Sequence, residues 1–264
     1  METTARKKIV QEYYSKRAKD YDRQKIRTWK SEHGFGIEVL NEVIDALAAF
    51  EDKPVLEVGV GSGRIGFPLL KRVKPCFVGL DLSREMLRLA KTKVASHNKE
   101  FNTVLGDAEW LPFIDEVFDA AICISAMHYF ADSEVGLTEF SRVLKEKGVF
   151  VYGDLTLHEL DNHAFLDALE KTVSHAHARY VKPSEMKRLL ENRGFRISRM
   201  KVIPYGKSFQ SLMEDKGKYF DVKPDALNEC ARRATMEEKK LYSIGRSGLT
   251  LFYTLITASK ESRS

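Results

Sequence analysis

The sequence is poor in cysteine and contains no long apolar run. Its three cysteines, Cys76, Cys123 and Cys230, are widely spaced and form no CxxC or Cys/His pattern with metal-ligand spacing. We therefore expect free thiols and no metal site. Cys76 and Cys123 lie in apolar stretches, so we expect both of them in the core.

The apolar segments themselves are short. One of the longest, residues 120–124, has the length of a strand, far below the roughly 20 residues that cross a bilayer. No apolar segment or cleavage site follows the basic N-terminus. We expect no membrane span, no signal peptide and a cytoplasmic location.

Positive charge is concentrated at one end of the chain. The formal net charge is +5, yet residues 1–30 hold ten Lys and Arg against four Asp and Glu. The rest of the chain is therefore close to neutral. A solvated helix face explains this pattern, and so does a site for an anionic substrate or for RNA phosphates. Nucleic acid is thus an open but less favoured partner.

The order of the elements predicts an α/β domain. The chain has 264 residues, 43% of them hydrophobic, which is enough for one such domain with additions. Short apolar strands alternate with helices across residues 51–153, which predicts βαβ units and a parallel sheet. Residues 1–50 are expected to form a helical arm with helices at 4–17 and 33–50, interrupted near Tyr21.

Two additions interrupt the later part of this pattern. Residues 155–182 and 205–247 each follow the predicted carboxyl end of a strand, and residues 205–247 are predicted to be largely helical. Ligands of open parallel sheets bind outside these ends. We therefore expect both additions to lie over the binding cleft and to cover a substrate.

A glycine-rich turn follows the first predicted strand. The segment Val55–Gly63 contains Glu57 and reads Glu-x-Gly-x-Gly-x-Gly. Glycines allow a positive φ and a close approach of the backbone to a ligand. The overlapping Gly-x-Gly-x-x-Gly that ends at Gly66 also matches the dinucleotide fingerprint, so this turn alone does not identify the cofactor.

Three further motifs follow in order. Asp81 ends the second strand, where an acid can accept hydrogen bonds from both ribose hydroxyls, as in NAD-binding proteins. The segments 106–113 (GDAEWLPF) and 118–124 (FDAAICI) come next, and 139–150 (EFSRVLKEKGVF) reads as a helix, a turn and a fifth strand. Over residues 51–153 these motifs resemble the class I, Rossmann-like methyltransferases that depend on S-adenosylmethionine (SAM). The chain is most similar to their ubiquinone and menaquinone methyltransferase-like small-molecule subgroup.

The resemblance implies both the fold and the cofactor site. It implies a Rossmann-like, seven-stranded, mostly parallel sheet with an antiparallel last strand, helices on both faces and helical insertions over the cleft. In this family the acid at position 107 accepts a hydrogen bond from the adenine amine, and an N-terminal helix like residues 13–22 folds over SAM. The cofactor contacts implied are Tyr21, Glu57, Gly59, Gly61, Gly63, Asp81, Leu82, Met86, Asp107, Ala108 and Ser125.

The sequence indicates the methyl acceptor only in outline. His128, just past the fourth strand, is the candidate general base, and Asp154 and Tyr14 are further candidates for the pocket. Ser125-Ala-Met-His128 stands where enzymes that methylate nucleobase amines carry Asn/Asp-Pro-Pro-Tyr/Phe. We therefore expect a small molecule with an O, N or C nucleophile. An RNA- or protein-modifying methyltransferase and a non-catalytic SAM-binding module are the alternatives, and the sequence does not indicate the oligomeric state.

Overall fold

The computed structural model describes residues 2–31, 35–95, 102–223 and 225–262. The strands are β1 (Pro54–Val58), β2 (Cys76–Asp81), β3 (Asn102–Leu105), β4 (Phe118–Ile124), β5 (Leu144–Thr156), β6 (Phe195–Ser208) and β7 (Gly248–Lys260). The helices are α1 (Glu2–Ser31), α2 (Phe35–Ala46), α3 (Gly66–Arg72), α4 (Arg84–Ala95), α5 (Ser133–Val143), α6 (Phe165–Val173), α7 (Pro183–Glu191), α8 (Phe209–Asp215), α9 (Ala226–Arg233) and α10 (Met236–Leu241).

The seven strands form one sheet in the order β3-β2-β1-β4-β5-β7-β6. β7 runs antiparallel to both of its neighbours, and the remaining strands are parallel to one another. The predicted fold class is therefore confirmed. The chain leaves β3 at one edge and re-enters the sheet at β4, beside β1. This reversal opens a crevice at the carboxyl ends of β1 and β4.

Alternation along the central strands divides the core into two layers. In β1, Leu56 and Val58 pack into one buried cluster, whereas Val55 packs into the other. Side chains of a strand point alternately to its two faces. Glu57 therefore shares a face with Val55, between the sheet and the helices on that side, and this position explains its burial.

The N-terminal arm differs from the prediction. We expected a break near Tyr21, but α1 continues as one helix to Ser31. Tyr14, Arg17 and Tyr21 are spaced at three and four residues, so a continuous helix keeps all three on one face, where they contact one another. His33, where the second helix was expected to begin, lies outside the described residues.

Two smaller predictions are also wrong. Residues 205–208 belong to β6 and not to a helical addition, because β7 supplies a pairing partner for each of them. Cys76 is exposed, since it opens β2 at the end of that strand, whereas Cys123 is buried as expected.

The two additions pack against each other. Leu166 and Leu169 of α6 share a buried cluster with Leu212 of α8, Leu227 of α9 and Tyr242. This cluster lies beside the carboxyl ends of the central strands, because Leu212 lines the same cavity as Ser125, the residue that follows β4. Among the described residues, no helix is both long and apolar enough to span a membrane.

Candidate active site

A cleft of about 850 Å³ lies at the carboxyl ends of β1, β2 and β4, with α1 along one side. It is the place where the sheet topology predicts a ligand. Most of the predicted cofactor residues meet here. Those that line the cleft are Tyr21, Glu57, Gly59, Gly61, Asp81, Leu82, Asp107, Ala108 and Ser125.

Gly59 forms the floor of the cleft where β1 ends. Its φ is +74°, and a Cβ at this position would lie 2.4 Å from the Cβ of Ala126. Its amide donates a hydrogen bond of 2.8 Å to the carbonyl of Leu80, which ties the turn to β2. A side chain at Gly59 is thus excluded both by φ and by the neighbouring strand end.

Asp81 holds the same turn from the side of β2. Its carboxylate accepts hydrogen bonds from the amides of Gly61 and Ser83, both at 2.8 Å. Burial raises the pKa of Asp81 to about 6, although these backbone donors oppose the shift. A carboxylate fixed in this way presents its remaining lone pairs to the cleft.

Glu57 is the most deeply buried acid of the cleft, with 2% of its surface exposed. Within the described part of the chain its Oε2 is buried and accepts no hydrogen bond. Burial raises the pKa of Glu57 to about 8, and the charge of Arg64 opposes the shift. A buried acceptor without a donor is costly, so Glu57 is suited to a ligand that brings a donor or a positive charge.

We expect Glu57→Gln to flatten the pH dependence of stability. Because burial raises the folded-state pKa above the ordinary 4.5, the folded chain binds this proton more tightly than the unfolded chain does. Stability therefore falls as the pH rises towards about 8. Between pH 6 and 8 the wild type should lose about 2 to 3 kcal/mol more than the variant.

Urea unfolding at pH 6, 7 and 8 measures this difference. Glu51→Gln, which changes an exposed acid just before β1, is the matched control and should keep the wild-type slope. Equal slopes for Glu57→Gln and the wild type would contradict the assignment of the pH dependence to Glu57.

The loop after β3 carries an ion-pair cluster that the sequence did not predict. Lys7 of α1 lies 2.7 Å from Asp107 Oδ2 and 2.7 Å from Glu109 Oε2. Burial alone would lower the pKa of Lys7, but these two carboxylates raise it. Glu109 Oε1 in turn accepts hydrogen bonds from the amides of Ala131 and Asp132. Lys7 thus fastens α1 to the predicted adenine loop.

Two predicted cofactor residues do not line the cleft. Gly63 has φ +74° and ends the turn, and Met86 of α4 is fully buried. Neither of them is among the residues that line the cleft. Their contact with the cofactor stays a prediction.

A second cavity, of about 740 Å³, adjoins the cleft. The two share Tyr14, Tyr21, Arg64, Ser125 and Tyr129, which form the wall between them. Leu155 of β5 and Tyr205 and Lys207 of β6 line this second cavity. The second addition contributes Leu212, Asp215 and Lys216.

His128 and Asp154 form a buried pair on this second cavity. His128 Nδ1 lies 2.7 Å from Asp154 Oδ1. Asp154 also accepts hydrogen bonds from the amides of His128 and Leu155. Because the carboxylate accepts these bonds, Nδ1 carries the proton, and in that neutral tautomer Nε2 is an acceptor. The sequence predicted both residues, and the structure brings them together.

Sequence reasoning missed Lys7 and Arg17, both of which lie on α1. Arg17 is 1% exposed and lines the second cavity. One signal was available, because Tyr13, Arg17 and Tyr21 recur every four residues and therefore share a helix face. Lys7 gave no comparable signal.

The described residues contain no group of three or more His, Cys, Asp and Glu side chains arranged to hold a metal ion. His177, one of two histidines in the first addition that lie two residues apart, places its Nε2 2.7 Å from Asp167. His177 and Asp167 therefore form a second buried pair.

The residues of the cleft fit S-adenosylmethionine. The floor at Gly59 admits no Cβ, which suits close approach of a ligand. Asp81 offers a carboxylate for ribose hydroxyls, and Asp107, the predicted acceptor for the adenine amine, lines the same cleft. The unpartnered Oε2 of Glu57 suits the positive end of the methionyl group.

Comparison with known families supports this assignment. Residues 55–148 match the family described as "Methyltransferase domain". The chain is 38% identical over 110 residues to the fatty-acid O-methyltransferase of Mycolicibacterium smegmatis, which covers 41% of this chain and 39% of that protein. For the first relatives found, the matched part spans 38% to 53% of their length.

Solved structures are similar over most of the chain. The YcgJ protein from Bacillus subtilis has a TM-score of 0.75 at 22% identity, covering 86% of this chain and 99% of that one. Geranyl diphosphate C-methyltransferase from Streptomyces coelicolor, solved with S-adenosyl-L-homocysteine, has a TM-score of 0.63 at 17% identity and covers 86% and 80%. The resemblance inferred from the motifs is confirmed for the domain and its fold.

Proposed function

We propose that this chain, whose residues 55–148 match a methyltransferase domain, transfers a methyl group from S-adenosylmethionine to a small-molecule acceptor. One observation carries the proposal. The cleft that contains most of the predicted cofactor residues adjoins a second cavity, and the two share a wall of three tyrosines, Arg64 and Ser125. A donor in the first and an acceptor in the second would meet at that wall.

The lining of the second cavity favours a small molecule. Five tyrosines and three leucines share the lining with eight charged or polar side chains. Apolar surface with polar groups that converge on one space is typical of small-ligand pockets. The fatty-acid O-methyltransferase to which the chain is similar also takes a small-molecule acceptor, which agrees with this assignment.

The chain's own residues have a limited chemical task. S-adenosylmethionine, when bound, supplies a methyl group that its sulfonium already activates. The protein needs only to align the acceptor, exclude water and take a proton if the nucleophile carries one. The shared tyrosine wall serves alignment and excludes water. Nε2 of His128 is the base, and Asp154 holds its ring in the required orientation and tautomer.

Two measurements test the proposal. Calorimetry should detect binding of S-adenosylmethionine and none of NAD; binding of NAD alone would overturn it. Methyl-labelled S-adenosylmethionine and a fractionated cell extract should then give a labelled product in the small-molecule fraction. Turnover confined to RNA or protein, or no turnover in any fraction, would support one of the alternatives instead.

The structure weakens the RNA-modifying alternative, which rests on the positive charge of the N-terminal arm. Lys7 is paired with two carboxylates, Arg6 Nη1 donates to the carbonyl of His177, and Arg17 is buried. These three cations of the basic arm are therefore engaged within the protein. RNA binding that weakens steeply with salt would restore that alternative.

We expect His128→Gln to lower kcat by about 100-fold or more, since general base catalysis contributes on this scale. The affinity for S-adenosylhomocysteine should be unchanged, because His128 is not among the residues of the cofactor cleft. The measurement is the pH dependence of kcat with an acceptor found by the labelling experiment, in which the variant should lose the acidic limb. His163→Gln, at an exposed position of the first addition, is the control. A variant with wild-type kcat would restrict His128 to a packing role.

A further inference from the structure

Arg17 is a buried cation whose hydrogen-bonding capacity is largely unused. Its side chain is 1% exposed and is among the largest buried in the protein. Nη1 donates a 2.7 Å hydrogen bond to the hydroxyl of Tyr13. Within the described part of the chain, Nε and Nη2 are buried and have no hydrogen-bond partner.

The surroundings compensate the charge only in part. The guanidinium carbon lies 5.4 Å from the ring centre of Tyr13 and 5.2 Å from that of Tyr21. Aromatic faces attract a cation, but more weakly than a carboxylate at hydrogen-bond distance does. A buried charge that lacks an ionic partner lowers stability, which favours a ligand that supplies one.

The two unpartnered atoms define the shape of that ligand. Nε–H and one N–H of Nη2 lie on the same edge of the guanidinium and point in parallel. This edge matches the two oxygens of a carboxylate, which it binds in a bidentate manner. Nε and Nη2, the two atoms without a partner, are thus the two donors that a carboxylate needs.

The location of Arg17 distinguishes between two sources of a carboxylate. S-adenosylmethionine carries one on its methionyl group, and an acceptor could carry another. Arg17 lines the second cavity and is not among the residues of the cofactor cleft. The location therefore favours the acceptor.

Other charged side chains of the cavity have partners within the protein. Lys207 pairs with Asp215 at 3.2 Å, and Lys216 pairs with Glu170. Asp154 is engaged by His128. Arg64, which also lines this cavity, lies close enough to Glu57 to oppose the rise of its pKa. Arg17 thus differs from Lys207 and Lys216, whose ionic partners come from the protein itself.

We propose that Arg17 binds a carboxylate of the methyl acceptor, so that the acceptor is a small carboxylic acid with an apolar body. The proposal rests on the proposed function, since it assigns the second cavity to the acceptor. The apolar body would contact the remaining lining, which includes Leu155, Leu212, Leu251 and Tyr205.

Calorimetry on the full chain saturated with S-adenosylhomocysteine tests the proposal, with octanoate and octanamide as probes. Octanoate should bind the wild type at least tenfold more tightly than the uncharged amide. Arg17→Met should abolish that preference, and Arg17→Lys should reduce it, since lysine keeps the charge but loses the bidentate edge. Lys16→Met, which removes an exposed charge from the same helix, should retain the full preference.

Cofactor binding distinguishes the possible failures. Arg17→Met should bind S-adenosylhomocysteine and 5′-methylthioadenosine, which lacks the methionyl carboxylate, as tightly as the wild type does. If it lost affinity for the first ligand alone, Arg17 would serve the cofactor, and the proposal would be wrong while the proposed function survived. Equal binding of octanoate and octanamide to the wild type would also overturn it. A wild type that binds neither nucleoside would refute the proposed function itself.

Discussion

Gly59→Ala is expected to weaken the binding of S-adenosylhomocysteine by about 100-fold or more. The new Cβ would lie 2.4 Å from the Cβ of Ala126, at a residue whose φ is +74°. Strain at such a φ costs roughly 1–3 kcal/mol, and an overpacked contact costs a similar amount. The turn can relieve both only by moving away from β4, which displaces the floor of the cleft. Calorimetry with S-adenosylhomocysteine measures the loss.

Two further variants separate strain from overlap. Gly194 has nearly the same φ, +75°, but a Cβ there would meet no atom within 4 Å. Gly194→Ala should therefore lower stability by roughly 1–2 kcal/mol and leave the affinity unchanged. Adding Ala126→Gly to Gly59→Ala removes the overlap but not the strain, so it should restore part of the affinity. Wild-type binding by Gly59→Ala would show that this turn does not form the cofactor floor.

Asp81→Ala is expected to cause a loss of similar size. The wild-type carboxylate fixes the amides of Gly61 and Ser83 and has lone pairs left for ribose hydroxyls. Hydrogen bonds to a charged group contribute about 1.5–3 kcal/mol each. Losing the two bonds from the ribose hydroxyls should therefore lower the affinity for S-adenosylhomocysteine by about 100-fold or more. Asp119→Ala removes an acid that pairs with Lys145 and is not among the residues of the cleft. This control should bind as the wild type does.

The same carboxylate should make binding depend on pH. Because burial raises the pKa of Asp81 to about 6, a growing fraction is protonated as the pH falls below 6. Protonation removes the charge that accepts the ribose hydrogen bonds, so wild-type affinity should fall in that range. Asp81→Ala should lack this dependence. A wild-type affinity that is flat from pH 5 to 7 would contradict the role assigned to Asp81.

The cofactor side of the site was largely predictable. The turn at residues 59–63 and the acid at Asp81 lie within one strand–turn–helix–strand unit, so fixed local spacings determine where they meet. The motifs therefore locate most of the cleft without knowledge of any long-range contact. Met86 marks the limit of this reasoning, because helical spacing alone does not distinguish a core position from a ligand contact.

The acceptor side was not predictable to the same degree. His128 and Asp154 could be named because each follows the end of a strand, but their 2.7 Å contact depends on β4 and β5 being neighbours. The break predicted near Tyr21 is wrong for a related reason. The resemblance implied an entry helix over residues 13–22, but packing of Tyr21 against Tyr14 and Arg17 keeps α1 continuous.

The sequence by itself determined the sheet, the glycine turn and the methyl donor, because these follow from hydrophobic periodicity and from motifs contained within short segments. Only the tertiary structure decided what surrounds the acceptor. Arg17 and the second addition, residues 205–247, are about 190 residues apart in the chain and meet at one cavity. Contacts between such distant segments depend on how helices and sheet pack. No local pattern encodes them, so the site that we propose at Arg17 forms only in the folded chain.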